Sequence, residues 1–205
     1  MVLVIFEGVD NLGKSTIISK LTEMYKAERD IMYMHFKNPP KGIEDPLAYQ
    51  ELSFTQAMSK CSYISNTETM LKNTNKNIVF FDRSHFGEYV YGPIYRNEDP
   101  KEIIKTIKKV HNHHAVFDVV VIHLEASPEF VISHDDNKSF TSDYDEETRL
   151  ATVKREIDSF NECFKEVNPS NYIKINVEDD NNNYRNIDKI VHEIISKVKE
   201  LNVEL

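Results

Sequence analysis

The sequence predicts an α/β fold in which a five-stranded, mostly parallel sheet is flanked by helices on both faces. Apolar, β-branched runs recur at five places along the chain, at residues 2–6, 31–36, 78–81, 116–124 and 172–177. Helical patterns separate these runs, and strands that alternate with helices assemble into parallel sheets. The third and fourth runs are almost continuously apolar, which is typical of strands covered on both faces.

The helices are predicted from apolar residues that recur at helical spacing. Such stripes lie within residues 17–25, 54–64, 103–110, 150–164 and 187–201. The first helix is expected to run from Lys14 to about Arg29. Pro39 and Pro40 exclude a helix directly after the second strand, because proline lacks the backbone N–H that a helix interior needs. We interpret the longest stripes as core positions.

The composition is that of an ordinary globular protein. The 205 residues are 40% hydrophobic and 29% charged, which suits a single domain over residues 1–205. A formal net charge of −9 argues against a protein that binds the DNA backbone, because such surfaces are normally basic. The first apolar run is too short for a signal peptide, and no apolar stretch approaches the length of a membrane span. We therefore expect a cytoplasmic protein with neither a stable nucleic-acid partner nor a membrane partner.

Two groups of residues invite a chemical role that the sequence does not favour. Cys61 and Cys163 both fall on apolar stripes of predicted helices, so we expect buried, reduced thiols. His111, His113 and His114 lie close together, but no cysteine or carboxylate joins them at the spacing of a zinc site. No metal is expected there.

Residues 6–16 read Phe-Glu-Gly-Val-Asp-Asn-Leu-Gly-Lys-Ser-Thr and contain a complete GxxxxGK[ST] phosphate loop where the first strand ends. Backbone N–H groups of such a loop surround phosphate oxygens, and the helix that follows directs its partial positive charge at the anion. Lys14 supplies charge for the β and γ phosphates, and Ser15 supplies a hydroxyl for Mg²⁺. The motif predicts ATP as ligand and a three-layer P-loop NTPase fold. The predicted nucleotide-binding residues are Gly8, Asn11, Leu12, Gly13, Lys14, Ser15 and Thr16.

The third strand ends in Asp82-Arg83-Ser84, at the sheet edge that faces ligands in this fold class. An acid and an arginine are costly to bury at such an edge unless they bind ligands. Asp82 is suited to orient Mg²⁺ or to accept a proton, and Arg83 to hold an acceptor phosphate by paired hydrogen bonds. An internal Asp82–Arg83 salt bridge that caps the next helix is the structural alternative.

Residues 6–16 together with Asp82-Arg83 resemble the thymidylate kinase and deoxynucleoside kinase group of P-loop kinases. Phe-Glu-Gly-x-Asp before Gly-Lys-Ser-Thr is particular to thymidylate kinases, and the order of elements extends the resemblance over nearly the whole chain. It implies a transferase of nucleotide biosynthesis that uses ATP and Mg²⁺ to phosphorylate a deoxynucleoside monophosphate, dTMP or a related pyrimidine nucleotide. A homodimer is also implied. A deoxynucleoside kinase acting on a 5′-hydroxyl remains the main alternative, and a kinase acting on modified bases in DNA is a further one.

The resemblance also implies which residues bind the acceptor. Asp10 would approach the sugar, while Arg83 and Lys37 would face the monophosphate. Phe54 would stack on thymine, with a core role as the equal alternative. Lys60 stands near the place where the family usually has an arginine.

The segment after Asp82-Arg83 adds two candidate substrate contacts, Glu88 and Tyr91. Both belong to the aromatic and polar stretch 85–93, which is suited to line a nucleoside pocket, with buried aromatic packing as the alternative for Tyr91. Ser84 completes the triplet Asp-Arg-Ser. This triplet is intermediate between those of the thymidylate kinases and the deoxynucleoside kinases, which have Glu-Arg-Ser.

The chain departs from the family in its catalytic arginine, which relatives carry in the phosphate loop or in the lid. This loop has Asn11, and the predicted lid, about residues 133–144, offers only Lys138. Arg149 and Arg155 follow on the next helix. Either Arg149 moves into the site, or Lys138 substitutes, or the enzyme is slower. The predicted catalytic residues are Lys14, Asp82, Arg83 and Arg149, and the predicted metal-binding residues are Ser15 and Asp82.

Overall fold

The sheet is parallel throughout and has the strand order β2-β3-β1-β4-β5. The structure is a computed structural model that describes residues 1–71, 77–114, 117–136 and 139–205. Within these residues the strands are Val2–Glu7 (β1), Ile31–His35 (β2), Ile78–Asp82 (β3), Asp118–Glu125 (β4) and Tyr172–Asn176 (β5). The predicted α/β fold is confirmed, with a fully parallel sheet in place of a mostly parallel one.

Helices cover both faces of this sheet. The described helices are Lys14–Tyr25 (α1), Pro46–Leu71 (α2), Phe86–Tyr95 (α3), Pro100–His114 (α4), Pro128–Ser133 (α5), Glu146–Val167 (α6) and Ile187–Glu200 (α7). None of them is both long enough and apolar enough to cross a bilayer.

One helix boundary differs from the prediction. Helix α1 ends at Tyr25 instead of about Arg29, and a turn follows in which the backbone N–H of Glu28 bonds to the Tyr25 carbonyl. Helix α4 continues to His114 and so includes the histidine cluster. Among the described residues, no group of three or more His, Cys, Asp or Glu side chains is arranged to hold a metal.

Strand β1 lies in the middle of the sheet and is buried along its whole length. Its register aligns Phe6 with Asp82 of β3 on one side and with Ile122 of β4 on the other. The carboxyl ends of β1 and β3 therefore lie side by side, and the phosphate loop emerges beside Asp82. Cys61 and Cys163 are fully buried free thiols, as predicted.

Candidate active site

The phosphate loop depends on backbone conformations that favour glycine. Gly8 has a φ of 134°, and a Cβ at this position would lie 2.5 Å from the Leu124 carbonyl oxygen. Gly13 and Asn11 adopt left-handed φ values of 72° and 61°. Glycine tolerates such angles without strain, and asparagine is among the residues that adopt them most readily. The loop is thus packed directly against the end of β4.

Lys14 is buried at the start of α1, and its ammonium group points back into the loop. Its Nζ donates to the carbonyl oxygens of Gly8 and Val9 at 2.9 and 2.6 Å. Burial, together with the nearby Arg83 charge, lowers the pKa of Lys14 to about 8, although the neighbouring acids oppose this shift. The loop therefore holds a compact cation at its centre.

Asp82 Oδ2 is the meeting point of three polar side chains. It accepts hydrogen bonds from Ser15 Oγ at 2.6 Å and Tyr33 OH at 2.9 Å, and His35 Nδ1 lies 3.2 Å away. Burial raises the pKa of this carboxyl, but the Ser15 hydrogen bond and the Lys14 charge outweigh it and hold the pKa below its usual value. The charged oxygen and the Ser15 hydroxyl are the hard ligands that Mg²⁺ prefers, so the residues present fit this ion.

The Arg83 guanidinium is held between the phosphate loop and α3. Its Nη2 bonds to the Asp10 carboxylate, and its Nη1 donates to Tyr91 OH at 3.0 Å. The guanidinium carbon lies 5.4 Å from the centre of the Tyr91 ring, a distance at which cation–π attraction acts. Burial opposes the charge, but Tyr91 and Asp10 hold the pKa of Arg83 above its usual value. Asp82 and Arg83 thus bond to different partners, and the alternative of an internal salt bridge between them is wrong.

A cavity of about 500 Å³ opens beside this guanidinium. Its lining residues come from the phosphate loop, the end of β2 and the residues after it, the residue after β3, α3 and the segment before α6. They are Asp10, His35, Phe36, Lys37, Asn38, Arg83, Tyr91, Ser139 and Phe140. Four predicted substrate residues, Asp10, Lys37, Arg83 and Tyr91, therefore share one cavity.

A smaller recess continues from the cavity towards α2 and brings in two more predicted residues. Phe54 and Glu88 line it, together with Gln50 and with residues shared by the main cavity. The Phe54 ring packs 4.8 Å from the Phe36 ring and is almost fully buried. Its position agrees with both interpretations, a base contact and a core residue. Among the residues that the structure describes, Lys60 is exposed and lines neither space.

Glu88 is a buried acid with a basic partner that the sequence did not reveal. Arg96 bonds to the Glu88 carboxylate and also donates to Glu98 at 3.0 Å. Burial raises the pKa of Glu88 to about 7 despite the Arg96 charge. Next to it, Gln50 Nε2 donates to the Lys37 carbonyl at 3.0 Å, which ties α2 to the segment after β2. The spacing of Glu88 and Arg96 along the chain gave no signal, because α3 ends between them.

Two further buried acids, Glu7 and Glu156, lie close enough to Arg83 to feel its charge. Glu7, at the end of β1, accepts a hydrogen bond from the Ser84 backbone N–H at 2.6 Å, and its Oε2 finds no donor among the described residues. Glu156, on α6, accepts a hydrogen bond from Tyr95 OH. Burial raises the pKa of each acid to about 7. Glu156 was not predicted because it lies on a helix whose stripe indicated core packing.

Arg149 contacts the phosphate loop through an intermediate residue. Its Nη2 bonds to Asp135 Oδ2, while Asp135 Oδ1 accepts a hydrogen bond from Asn11 Nδ2 at 2.9 Å. The catalytic role of Arg149 stays a prediction, as does the lid over residues 133–144. Lys138 lies outside the described residues.

The central β1, the phosphate loop that follows it and the acid at the end of β3 define a three-layer α/β fold of the P-loop NTPase class. No protein-family model matches the sequence, and a search of curated proteins finds no match.

Solved structures with this fold are found at low sequence identity. The YorR protein from Bacillus subtilis, in complex with phosphorylated GDP, is 17% identical with a TM-score of 0.58, over 99% of each chain. Thymidylate kinase from Ehrlichia chaffeensis is 16% identical with a TM-score of 0.55, over 95% of this chain and 97% of that one. Deoxyadenosine kinase from M. mycoides with bound dATP is 19% identical with a TM-score of 0.50, over 97% and 100%. The chain is thus similar in fold to the thymidylate kinase and deoxynucleoside kinase group of P-loop kinases, as its motifs implied.

Proposed function

We propose that the protein transfers the terminal phosphoryl group of ATP to a deoxynucleoside monophosphate, dTMP or a related pyrimidine nucleotide, giving ADP and the diphosphate. The observation that carries this proposal is the position of the Arg83 guanidinium. It lines a cavity that begins at the phosphate loop, and Asp10 of that loop is its partner. A nucleotide bound at the loop and an anionic acceptor bound in the cavity would therefore lie next to each other.

The donor side of the proposed reaction rests on the loop and on Lys14. The Lys14 ammonium is bonded to two loop carbonyls, and bound phosphate oxygens would replace them as acceptors. Ser15 and Asp82 would hold Mg²⁺, which neutralises phosphate charge when bound. Positioning and electrostatic stabilisation supply most of the rate in this chemistry, and these residues provide both.

The acceptor side rests on Arg83 and Lys37. Arginine offers five donors in a planar arrangement, so Arg83 can bind a phosphate while it keeps its contact with Tyr91. Lys37 also lines the cavity and adds a second cation. Asp10, released from part of its bond to Arg83, would then face the sugar.

A monophosphate suits the cavity better than a free hydroxyl does. A hydroxyl acceptor needs a base within hydrogen-bond reach. Glu44 and Asp45, the acids that follow β2, are exposed and contribute nothing to the described lining of the cavity, and Asp45 accepts the Ala48 N–H at 2.9 Å at the start of α2. The cations of the cavity favour a charged acceptor.

A coupled ADP-release assay over a panel of acceptors tests the proposal. The panel contains dTMP, dCMP, dUMP, thymidine and deoxyadenosine, together with dGMP because the B. subtilis neighbour binds phosphorylated GDP. We expect turnover with a pyrimidine monophosphate. Phosphorylation of nucleosides alone would favour the deoxynucleoside kinase alternative and overturn the proposal.

Replacing Arg83 by Lys separates the acceptor site from the donor site. We expect kcat/KM for the monophosphate to fall by about 10² or more, because lysine cannot replace a bidentate guanidinium. ATP affinity should change little. Arg155→Lys, on the exposed face of α6, is the matched control and should behave like the wild type. Unchanged turnover of every mononucleotide in Arg83→Lys would contradict the assignment.

A further inference from the structure

The Asp135 carboxylate joins the phosphate loop to the first turn of α6. Oδ1 accepts from Asn11 Nδ2 of the loop at 2.9 Å. Oδ2 bonds to Arg149 Nη2 and also accepts from Ser139 Oγ at 2.9 Å and Ser142 Oγ at 3.2 Å. One carboxylate therefore organises side chains from three parts of the chain.

This carboxylate is buried and charged. The Asp135 side chain is only 2% exposed and that of Arg149 is 16% exposed. Burial raises the pKa of Asp135, but hydrogen bonds from Ser139 and Asn11 and the Arg149 charge hold it below its usual value. An ionised carboxylate is stable in such a place only when charged or polar donors satisfy it, and the described residues supply four of them.

Arg149 is attached to a rigid support. It lies in the first turn of a 22-residue helix whose N-cap, Asp145, accepts the Thr148 N–H at 2.9 Å. Its guanidinium is separated from the Asn11 amide by the Asp135 carboxyl group alone. The base of the side chain is fixed by α6, and its tip is fixed by Asp135.

We propose that Asp135 is a positioning residue, which holds the Arg149 guanidinium beside Asn11 so that it meets the terminal phosphate of the donor nucleotide. The inference rests on the proposed function, since it assumes that ATP occupies the loop. The phosphate loop itself has no arginine. In this proposal a three-residue relay, Asn11–Asp135–Arg149, supplies one from α6. Asp135 acts through Arg149 and touches no reacting atom.

The affinities for ATP and ADP give a test that needs no acceptor. Both are measured by calorimetry with Mg²⁺ for the wild type, Arg149→Ala, Asp135→Asn and the double variant. We expect Arg149→Ala to reduce the preference for ATP over ADP by about tenfold, the value of one charged hydrogen bond. Asp135→Asn should reduce it in the same direction, and the double variant should be no worse than Arg149→Ala, because the two residues act as one unit.

Asp143→Asn is the matched control. Asp143 lies in the same segment and is exposed, so its replacement should leave the ATP preference unchanged. Should Asp135→Asn fail to fold, Asn11→Gly interrupts the other end of the relay. Glycine tolerates the φ of 61° at this position and removes only the amide.

Added guanidinium distinguishes positioning from a general structural role. Guanidinium ion at millimolar concentration should restore ATP preference to Arg149→Ala, in which the Asp135 carboxylate is still present, but not to the double variant.

Unchanged ATP preference in Asp135→Asn would overturn the proposal. Tighter ATP binding in that variant would also overturn it, since Asp135 would then compete with phosphate. If the wild type prefers ATP but phosphorylates no mononucleotide, the proposed function fails while this inference is still decided by the binding data.

Discussion

Ser15 Oγ donates a hydrogen bond to Asp82 Oδ2 over 2.6 Å, and this bond joins the first turn of α1 to the end of β3. The two residues meet because β1 and β3 pair in a register that aligns Phe6 with Asp82. A hydroxyl and a carboxylate at the end of a phosphate loop are oxygen ligands suited to Mg²⁺. The metal dependence of the proposed activity should therefore depend on this pair.

Asp82→Asn should raise the Mg²⁺ concentration for half-maximal rate by about ten- to a hundredfold, the usual effect of losing a residue that supports a metal site. The amide is neutral and has one oxygen instead of two. Initial rates over a magnesium titration measure the effect. Tyr33→Phe is the control, because it removes one donor to the same carboxylate and leaves its charge intact. A normal magnesium titration in Asp82→Asn would exclude Asp82 from the metal site.

Tyr91→Phe should raise KM for the acceptor by about tenfold and leave KM for ATP unchanged. The variant removes the hydrogen bond between Arg83 Nη1 and the Tyr91 hydroxyl but keeps the ring beside the guanidinium. Hydrogen bonds to charged groups contribute roughly 1.5–3 kcal/mol, and the lower end of that range corresponds to about tenfold. Tyr89→Phe is the matched control, since Tyr89 faces a separate groove between α3 and α6. Equal effects of the two variants would contradict a role for Tyr91 in holding Arg83.

The fold and the centre of the site could be predicted because their signals are local. The phosphate loop is one continuous motif, and Asp82-Arg83 directly follows an apolar strand. Parallel strands present their carboxyl ends at one edge, so the sequence also predicted that the loop and Asp82 would be neighbours. The side chains that complete these sites come from elsewhere in the chain. Tyr33 reaches Asp82 from a different strand, and its alternation with His35 on β2 was the only signal for it.

Buried charge was the least predictable property. Glu156 lies on the apolar stripe of α6, three residues after Val153 and four before Phe160, where periodicity predicts packing and gives no sign of a buried charge. It is buried because α3 packs on this part of α6, which places Tyr95 against the Glu156 carboxyl. The distance of Lys60 along the chain after Phe54 predicts a place near the acceptor, but α2 turns its side chain outwards. Such outcomes depend on how helices pack, which a single sequence does not specify.

The stability of the protein should fall as the pH rises from 5 to 8, in part because of Glu156. Burial raises the pKa of Glu156 from 4.5 to about 7 in the folded protein. The folded state therefore binds more protons than the unfolded state between these two values, so unfolding becomes easier as the proton is lost. At about 1.4 kcal/mol per pKa unit, the contribution of this group is roughly 3 kcal/mol.

Glu156→Gln should reduce that pH dependence. The amide resembles the neutral carboxyl and can still accept the Tyr95 hydrogen bond. Urea unfolding of both proteins at pH 5 and pH 8 measures the difference, which should favour the variant at pH 8. Glu162→Gln is the control, because Glu162 is exposed on the same helix. A slope that is identical in wild type and Glu156→Gln would mean that this carboxyl is ionised in the folded state throughout the range.

Gly8→Ala and Gly42→Ala separate the backbone strain of a positive φ from the steric clash of an added Cβ. Gly42 has a φ of 85° with no atom near an added Cβ, whereas Gly8 has a φ of 134° and its Cβ would lie 2.5 Å from the Leu124 carbonyl oxygen. Gly42→Ala should lower stability by about 1 kcal/mol, the strain of a left-handed alanine, and Tm by about 2–4 °C. Gly8→Ala adds a clash with the backbone of β4, so we expect a loss of about 3 kcal/mol or more and a fall in Tm of about 6 °C or more. Thermal unfolding followed by circular dichroism measures both. Equal losses would mean that the phosphate loop can move away from β4, and Gly8→Ala should then retain ATP binding as well.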